Sequence, residues 1–166
     1  MCGIAGILNF NNKKIDESLL KKMTNIIRHR GPDGEGMFID KNIGLGHRRL
    51  AIIDLSDAAA QPMFNENKKI VLVYNGEIYN FMSLRKELIR KGHKFISKSD
   101  TEVILHGYEE EGINFINKLN GLFAFALWDK RKKELYLARD RYGIKPLYYF
   151  KNDVALIFAS EIKSIL

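Results

Sequence analysis

The chain has 166 residues, a length that indicates a single domain. Hydrophobic residues make up 46% and charged residues 28% of it, as in ordinary globular domains, and no apolar run is long enough to cross a bilayer. The formal charge of +7 comes from lysines scattered along the chain, which argues against a nucleic-acid surface. The single cysteine allows no internal disulfide and the N-terminus lacks the pattern of a secretory signal, so we expect a cytoplasmic protein without a membrane attachment.

The first part of the chain predicts a strand, a helix and a hairpin. The apolar run 3–10 is typical of a buried strand. Asp16 is a suitable N-cap for a helix that extends to about Arg28. Two strands at 36–39 and 43–47 are expected to pair as a hairpin. The helix would bury an apolar stripe formed by Leu19, Leu20, Met23, Ile26 and Ile27.

Two more helices are predicted in the middle of the chain. Asn80 is expected to cap the first, and Gly92 is expected to end it. The second opens with the capping-box sequence 99–102 and should end near Gly112. The apolar face of the first would carry Phe81, Leu84, Leu88 and Ile89.

Strands dominate the rest of the chain. The strand at 69–74 is expected to end at Asn75-Gly76, with 77–79 left open as a continuation. Run 122–128 is apolar on both faces, so we expect a central strand that is covered on both sides. Short turns between successive strands favour antiparallel pairing and an α+β fold. The later strands are predicted at 122–129, 134–139, 147–150 and 154–159.

Cys2 is the first candidate for chemistry. A lone cysteine is usually a small buried hydrophobe, but the position of this one is unusual. If the initiator methionine is removed, Cys2 carries a thiol and a free α-amine, and thus a nucleophile and a base on one residue. Both groups titrate near neutral pH, so no distant histidine is required.

The Asn75-Gly76 pair is the second candidate. Between strands this dipeptide usually forms a type I′ turn. It also offers two hydrogen-bond donors at one point, the Asn75 amide and the Gly76 N–H, and a tetrahedral oxyanion needs two such donors. The two interpretations are compatible.

Arg49 and Asp100 would suit the two charged groups of an amino acid. A guanidinium fits an α-carboxylate with paired hydrogen bonds, and a carboxylate fits an α-ammonium. Taken singly, Arg49 is more typical of a surface charge and Asp100 of a helix cap, and composition alone does not bring them to one pocket.

Segments spread over nearly the whole chain resemble those of class II glutamine amidotransferases. Within that family, the segments 29–33 and 75–80 look closer to the glutaminase domain of glutamine-dependent asparagine synthetases than to its sister branches. The matching segments are MCGI at 1–4, RHRGPD at 28–33, HRRL at 47–50, QPM at 61–63, NGEIYN at 75–80, SDTE at 99–102, NGLFAF at 120–125 and RDRYGIKPL at 139–147.

The resemblance implies an α+β fold of the N-terminal-nucleophile hydrolases, a four-layer αββα sandwich with two antiparallel sheets. It also implies that Cys2 attacks the side-chain amide of glutamine, while Asn75 and the Gly76 N–H hold the oxyanion. Arg30 and Gly31 would lie near the nucleophile in a structural role. The implied substrate-binding residues are Arg49 for the α-carboxylate, Asp100 for the α-ammonium, and Leu50, Ile52, Ile53 and Glu77 around them.

The resemblance further implies partners. L-Glutamine is the expected substrate of residues 1–166, and an ATP-dependent synthetase, as a C-terminal domain absent from this chain or as a separate subunit, is the expected user of the ammonia. The leading acceptor is aspartate, and homodimerisation stays open. No cofactor is expected here, since ATP and magnesium belong to the synthetase.

Two alternatives remain at this point. The chain would be a non-catalytic glutamine-binding or regulatory domain if it bound glutamine without turnover. A cysteine hydrolase with a histidine base is less favoured, because none of the four histidines, His29, His47, His93 and His106, lies in a recognisable Cys–His signature. Metal catalysis is not expected, because the sequence contains no paired His or Cys spacing.

Overall fold

Nine strands and three helices make up the structure, a computed structural model that describes residues 1–166. None of the helices has the length and apolar character needed to span a membrane. The helices are α1 (Glu17–Ile26), α2 (Phe81–Arg90) and α3 (Thr101–Glu111). The strands are β1 (Gly3–Asn9), β2 (Gly34–Asp40), β3 (Ile43–Arg49), β4 (Met63–Phe64), β5 (Ile70–Ile78), β6 (Gly121–Asp129), β7 (Glu134–Arg139), β8 (Tyr148–Lys151) and β9 (Ala155–Ala159).

The strands form two antiparallel sheets. The first sheet has the order β2-β3-β1-β9-β8, and the second has the order β4-β5-β6-β7. All the strand pairs are antiparallel, as the short predicted turns indicated. The chain leaves the second sheet after β7 and returns to the first, so that β9 pairs with β1 next to the N-terminus.

The two sheets pack face to face, with helices on both outer sides. Ile4 and Leu45 of the first sheet share a buried core with Val73 and Trp128 of the second. Helices α2 and α3 cover the outer face of the second sheet, and α1 covers the outer face of the first through residues such as Leu20. This is the predicted αββα sandwich, and it is confirmed.

Strand β6 shows how the sequence pattern produces these layers. Side chains alternate across a strand, so Phe123 and Phe125 join the core under the helices. Ala124, Ala126 and Trp128 point the other way, into the core between the sheets. The prediction of a central strand buried on both faces is therefore correct.

Helix α1 is shorter than predicted, and the apolar stripe that it buries is narrower. It ends at Ile26, and a separate 3-10 turn occupies Arg28–Arg30. Asp16 does cap it, since its Oδ1 accepts a hydrogen bond from Ser18 N at 2.8 Å. Leu19 and Ile26 are about half exposed and do not belong to the buried stripe. Ile89, on α2, is likewise half exposed rather than buried.

The predicted side-chain cap of α2 is not formed, and only half of the capping box predicted for α3 is, since Ser99 Oγ accepts a hydrogen bond from Thr101 N at 3.1 Å. Asn80 precedes α2, but its side chain bonds Lys118 O at 2.9 Å and Asn120 N at 3.0 Å. Glu102 does not reach back to a cap residue. Its carboxylate accepts instead from Ile96 N at 2.9 Å and Ser97 N at 2.8 Å in the loop before the helix.

Candidate active site

A cavity of about 100 Å³ lies at the N-terminus, between the end of β3, the middle of β5 and the start of α3. It brings together side chains that are far apart in the chain. All the site residues predicted from the sequence line it: Cys2, Arg49, Leu50, Ile52, Ile53, Asn75, Gly76, Glu77 and Asp100.

The pairing of β1 with β3 positions Cys2. Gly3 lies opposite Arg48, and Leu50 N donates a hydrogen bond to Cys2 Sγ at 3.3 Å. Arg30 Nε donates to the Cys2 carbonyl at 3.0 Å, so the loop at 30–31 holds the residue from the other side. Burial raises the pKa of the Cys2 thiol, partly offset by the Leu50 N–H. The thiol therefore needs a base to become a nucleophile.

Met1 extends over this cavity. Its side chain is about half exposed, and Lys145 Nζ lies 3.1 Å from its sulfur. While Met1 is attached, the nitrogen of Cys2 is an amide and has no basic lone pair. Removal of Met1 would create the α-amine and uncover the thiol in one step.

Asn75 and Gly76 do not form a turn, and the prediction that they end a strand is wrong. They lie inside β5, opposite Ala124 and Phe123 of β6, and β5 continues to Ile78. Gly76 does not have a positive φ. A Cβ at Gly76 would meet Leu122 O at 2.4 Å, so glycine is required here by the close approach of β6.

Asn75 carries a buried donor without a partner. Only 1% of the residue is exposed, and its Nδ2 makes no hydrogen bond. Leaving such a group unpaired costs about 1–3 kcal/mol, and the great majority of buried polar groups avoid this cost. Asn75 lies in the wall of the cavity that Cys2 and Gly76 also line. An unpaired donor in such a wall is typical of a site that binds a hydrogen-bond acceptor of a ligand.

Asp100 is buried at the start of α3 and is held by two donors. Its Oδ2 accepts from Tyr74 OH at 2.6 Å and from Ile78 N at 2.8 Å. Burial raises the pKa of Asp100, although these hydrogen bonds act in the opposite direction. A carboxylate in this position gains most from a cationic partner that enters the cavity.

Arg49, the last residue of β3, holds the loop that follows it. Its Nη2 donates to Asp54 O and, at 2.9 Å, to Ser56 O. Nε and Nη1 make no hydrogen bonds and remain for another acceptor. Hydrogen bonds from the Ser56 side chain and the Lys98 N–H lower the pKa of Asp54 to about 2. The bond from Lys98 N also joins this loop to the segment before α3.

The comparison with known families agrees with this geometry. The whole chain, residues 1–166, matches the model of the glutamine amidotransferase domain. The chain belongs to this family.

Relatives of this amidotransferase domain are much longer proteins. Asparagine synthetase [glutamine-hydrolyzing] 2 of Bacillus subtilis is 48% identical over 99% of this chain, which spans only 22% of that protein. Amidase chry2 of Gibberella zeae is 41% identical over 100% of this chain, which spans 26% of that amidase. The chain thus spans about a quarter of the relatives it matches.

A solved structure supports the fold. A glutamine phosphoribosylpyrophosphate amidotransferase from B. subtilis superposes with a TM-score of 0.84 over 99% of this chain and 43% of the other chain, at 23% sequence identity. Together with the two stacked sheets, this match confirms the predicted N-terminal-nucleophile fold.

No histidine of the amidotransferase domain lines the cavity. His47, in β3, is fully buried with its Nε2 3.2 Å from Tyr74 O, and burial lowers its pKa to about 3. The structure therefore gives no support to a Cys–His pair in this cavity.

Among the cavity residues that were not predicted as site residues, Tyr74 and Gln61 support Asp100. Tyr74 donates to Asp100, and Gln61 Oε1 accepts from Tyr74 N at 2.6 Å. Gln61 stood in one of the family segments, but Tyr74 looked like an ordinary strand residue. Its hydroxyl acquires a role only through the fold.

Proposed function

We propose that this domain hydrolyses the side-chain amide of L-glutamine to glutamate and ammonia, with Cys2 as its N-terminal nucleophile. The proposal rests on one observation: the thiol of Cys2 and the unpartnered amide of Asn75 line a single cavity. Membership of the glutamine amidotransferase family supports the choice of substrate.

In the first step the α-amine of Cys2, freed by loss of Met1, takes the thiol proton. The sulfur forms a bond to the amide carbon of glutamine, and the carbonyl oxygen becomes an oxyanion. Asn75 Nδ2 and the Gly76 N–H would stabilise this charge. The carbon–nitrogen bond then breaks, and the nitrogen leaves as ammonia with the proton held by the amine.

In the second step water hydrolyses the γ-glutamyl thioester. The amine takes a proton from the water, whose oxygen bonds to the thioester carbon. The carbon–sulfur bond breaks, glutamate leaves, and the thiol regains its proton. No metal or organic cofactor is needed for either step.

The opposite charges at the two sides of the cavity would orient the substrate. Arg49 would bind the α-carboxylate through its guanidinium, and Asp100 has a carboxylate for the α-ammonium. Glu77 and the backbone of residues 50–53 would surround the rest of the amino acid.

We further propose that the ammonia passes to an ATP-dependent synthetase, as a domain or a subunit, which uses ATP and magnesium itself. The names of several relatives favour aspartate as the acceptor. A free catalytic thiol must stay reduced, which favours the cytoplasm.

The test is release of ammonia and glutamate from L-glutamine by the full chain, after mass spectrometry has shown the loss of Met1. Cys2→Ala should reduce kcat on the order of 10⁶-fold, the scale seen when hydrolases lose their nucleophile. Its unfolding curve should match that of the parent.

The alternative is a domain that binds glutamine without hydrolysing it. In that case calorimetry would detect glutamine binding by the chain that begins at Cys2, but no ammonia would appear. Turnover by Cys2→Ala would exclude Cys2 as the nucleophile.

A further inference from the structure

A second group of titratable side chains lies outside the glutamine cavity. It contains two imidazoles and two carboxylates whose potential ligand atoms all lie within 4.8 Å of one another. We call it the histidine–glutamate cluster, and its members are Glu66, His93, His106 and Glu109. They come from three segments: the turn between β4 and β5, the stretch after α2, and α3.

The distances within the cluster suit a tetrahedral metal ion. His106 Nδ1 lies 3.0 Å from Glu109 Oε2 and 3.8 Å from Glu66 Oε1. His93 Nδ1 lies 3.9 Å from Glu109 Oε2. Around a zinc ion with bonds of about 2.0–2.1 Å, tetrahedral ligands lie roughly 3.3–3.4 Å apart. Small side-chain movements would bring these atoms to such separations.

Each imidazole also has a carboxylate behind it. His93 Nε2 lies 2.9 Å from Glu110 Oε1, and His106 Nε2 lies 3.5 Å from Glu102 Oε1. A ligating histidine usually donates its other N–H to a carboxylate, which orients the ring and makes it a better ligand. With that tautomer, both Nδ1 lone pairs face the cluster.

Hydrogen bonds hold the buried side of the cluster in place. His106 is only 2% exposed, and its Nδ1 lies 3.0 Å from Glu109 Oε2. Asn65 Nδ2 donates to Glu109 Oε1 at 2.6 Å, which holds that carboxylate and leaves Oε2 directed at the imidazole. Glu66 is about half exposed and lines an open depression with His106, so an ion has a path from solvent.

We propose that the histidine–glutamate cluster binds one zinc ion, which joins α3 to the segment after α2 and to the turn before β5. Two imidazole nitrogens favour zinc over magnesium or calcium, which prefer oxygen. The ion is structural, because the cluster does not line the glutamine cavity. Its ligands are His93 Nδ1, His106 Nδ1, a Glu109 oxygen and a Glu66 oxygen.

No metal site is predicted from the sequence, because residues 66, 93, 106 and 109 are too far apart in the chain to form a compact His or Cys motif. A metal-free explanation also exists. Burial lowers the pKa of His106, but hydrogen bonds with Glu102 and Glu109 outweigh it and raise the pKa to about 9. A doubly protonated imidazole would then fill the cluster, and experiment must distinguish it from zinc.

The test uses the full chain carrying Cys2→Ala, so that the thiol cannot bind the metal. The metal-free protein is titrated with Zn²⁺ in competition with a chromophoric chelator, and then with Co²⁺ while visible absorption is recorded. We expect one saturable zinc per chain, an intense tetrahedral cobalt spectrum, a Tm that rises with zinc, and no effect of Mg²⁺. Absence of saturable zinc binding overturns the proposal.

Variants locate the ion. Glu66→Gln changes a half-exposed residue and should not disturb folding, and His93→Gln removes an imidazole. Both should weaken zinc binding and abolish the cobalt spectrum. Glu110→Gln should weaken zinc binding about 10–100-fold through the lost outer carboxylate. The control is His29→Gln, which changes a histidine outside the cluster that also lies next to a carboxylate, with Nε2 2.8 Å from Glu161.

His29→Gln should bind zinc as the parent does. Loss of binding in that control, or unchanged binding in both Glu66→Gln and His93→Gln, would place the metal elsewhere and overturn the proposal.

Discussion

The pKa values of two carboxyl groups, one at each end of α3, are shifted in opposite directions. At its start, burial raises the pKa of Asp100 toward the neutral acid. Further along, burial alone would raise the pKa of Glu109, but hydrogen bonds from His106 and Asn65 outweigh it and lower that pKa. The glutamine cavity also leaves Asn75 Nδ2 unpaired. The direction of the carboxyl pKa shift thus distinguishes the cavity that would bind an amino acid from the cluster that would hold an ion.

After the loss of the Cys2 thiol itself, the largest effect should come from the loss of the free α-amine of Cys2. Chain that retains Met1, prepared with the methionine aminopeptidase inhibited, should lose about 10²–10⁴-fold in kcat, because it lacks the general base. Ammonia release would be compared between two preparations whose N-termini are assigned by mass. Equal kcat values in the two would show that the Cys2 amine is not the base.

The next largest effects are expected from alanine substitutions of two buried asparagines, Asn75 and Asn65. Asn75→Ala should reduce kcat about 10²–10³-fold with little loss of stability, because Nδ2 has no partner in the folded chain. Asn65→Ala should lower the free energy of unfolding by about 2–3 kcal/mol, because Asn65 Oδ1 accepts from Ile70 N and Nδ2 donates to Glu109.

Steady-state kinetics and denaturant melts on both asparagine variants measure this contrast. The assignment of the oxyanion site fails if Asn75→Ala is destabilised but keeps the parental kcat.

A smaller effect is expected from neighbouring arginines at the end of β3. Arg49→Lys should raise the KM for glutamine about 10-fold, because a lysine cannot make paired hydrogen bonds to the α-carboxylate. Arg48 does not line the cavity, and it is paired with Glu35 instead. Arg48→Lys should therefore alter stability and leave KM unchanged. The same KM change in both variants would point to a general disturbance of β3.

The smallest effects should come from pH. The folded chain holds the Asp100 proton more tightly than the unfolded chain, so ionised Asp100 opposes folding above its raised pKa, and this cost disappears as pH falls below 3.8. Asp100→Asn should therefore raise the free energy of unfolding at pH 7, a gain that vanishes in acid.

Glu109→Gln should behave in the opposite way. The pKa of Glu109 is lowered from 4.5, so its contribution to stability is present above that pH and is lost as pH falls through the folded pKa. Unfolding curves of metal-free protein between pH 3 and 7 test both variants. Similar pH dependence for the two would remove the contrast between the ends of α3.

The sequence predicted the layers well because they depend on local patterns. The alternation in β6 requires only that neighbouring residues point to opposite faces, and Asp16 needs only the next helical turn. Cys2 and Arg49 were assigned through the family segments, and the fold brings them to one cavity as expected.

What the sequence could not provide depends on distant neighbours. Asn75-Gly76 has the composition of a turn, but pairing with β6 keeps it extended. Glu102 fits a capping box, yet the N–H groups of Ile96 and Ser97, in the loop just before the helix, bind its carboxylate. The hydroxyl of Tyr74 finds Asp100 across 26 positions. For Asn75-Gly76 and for Tyr74, tertiary contacts overrode the local preference.

The extended backbone at Asn75-Gly76 also bears on chemical ageing. In flexible turns, the glycine nitrogen after an asparagine attacks the side-chain carbonyl and closes a succinimide ring, which deamidates the asparagine. Ladder pairing opposite Ala124 and Phe123 keeps this backbone from folding onto the side chain. The strand that presents the amide thus protects it from slow conversion to aspartate, whose negative charge would repel an oxyanion.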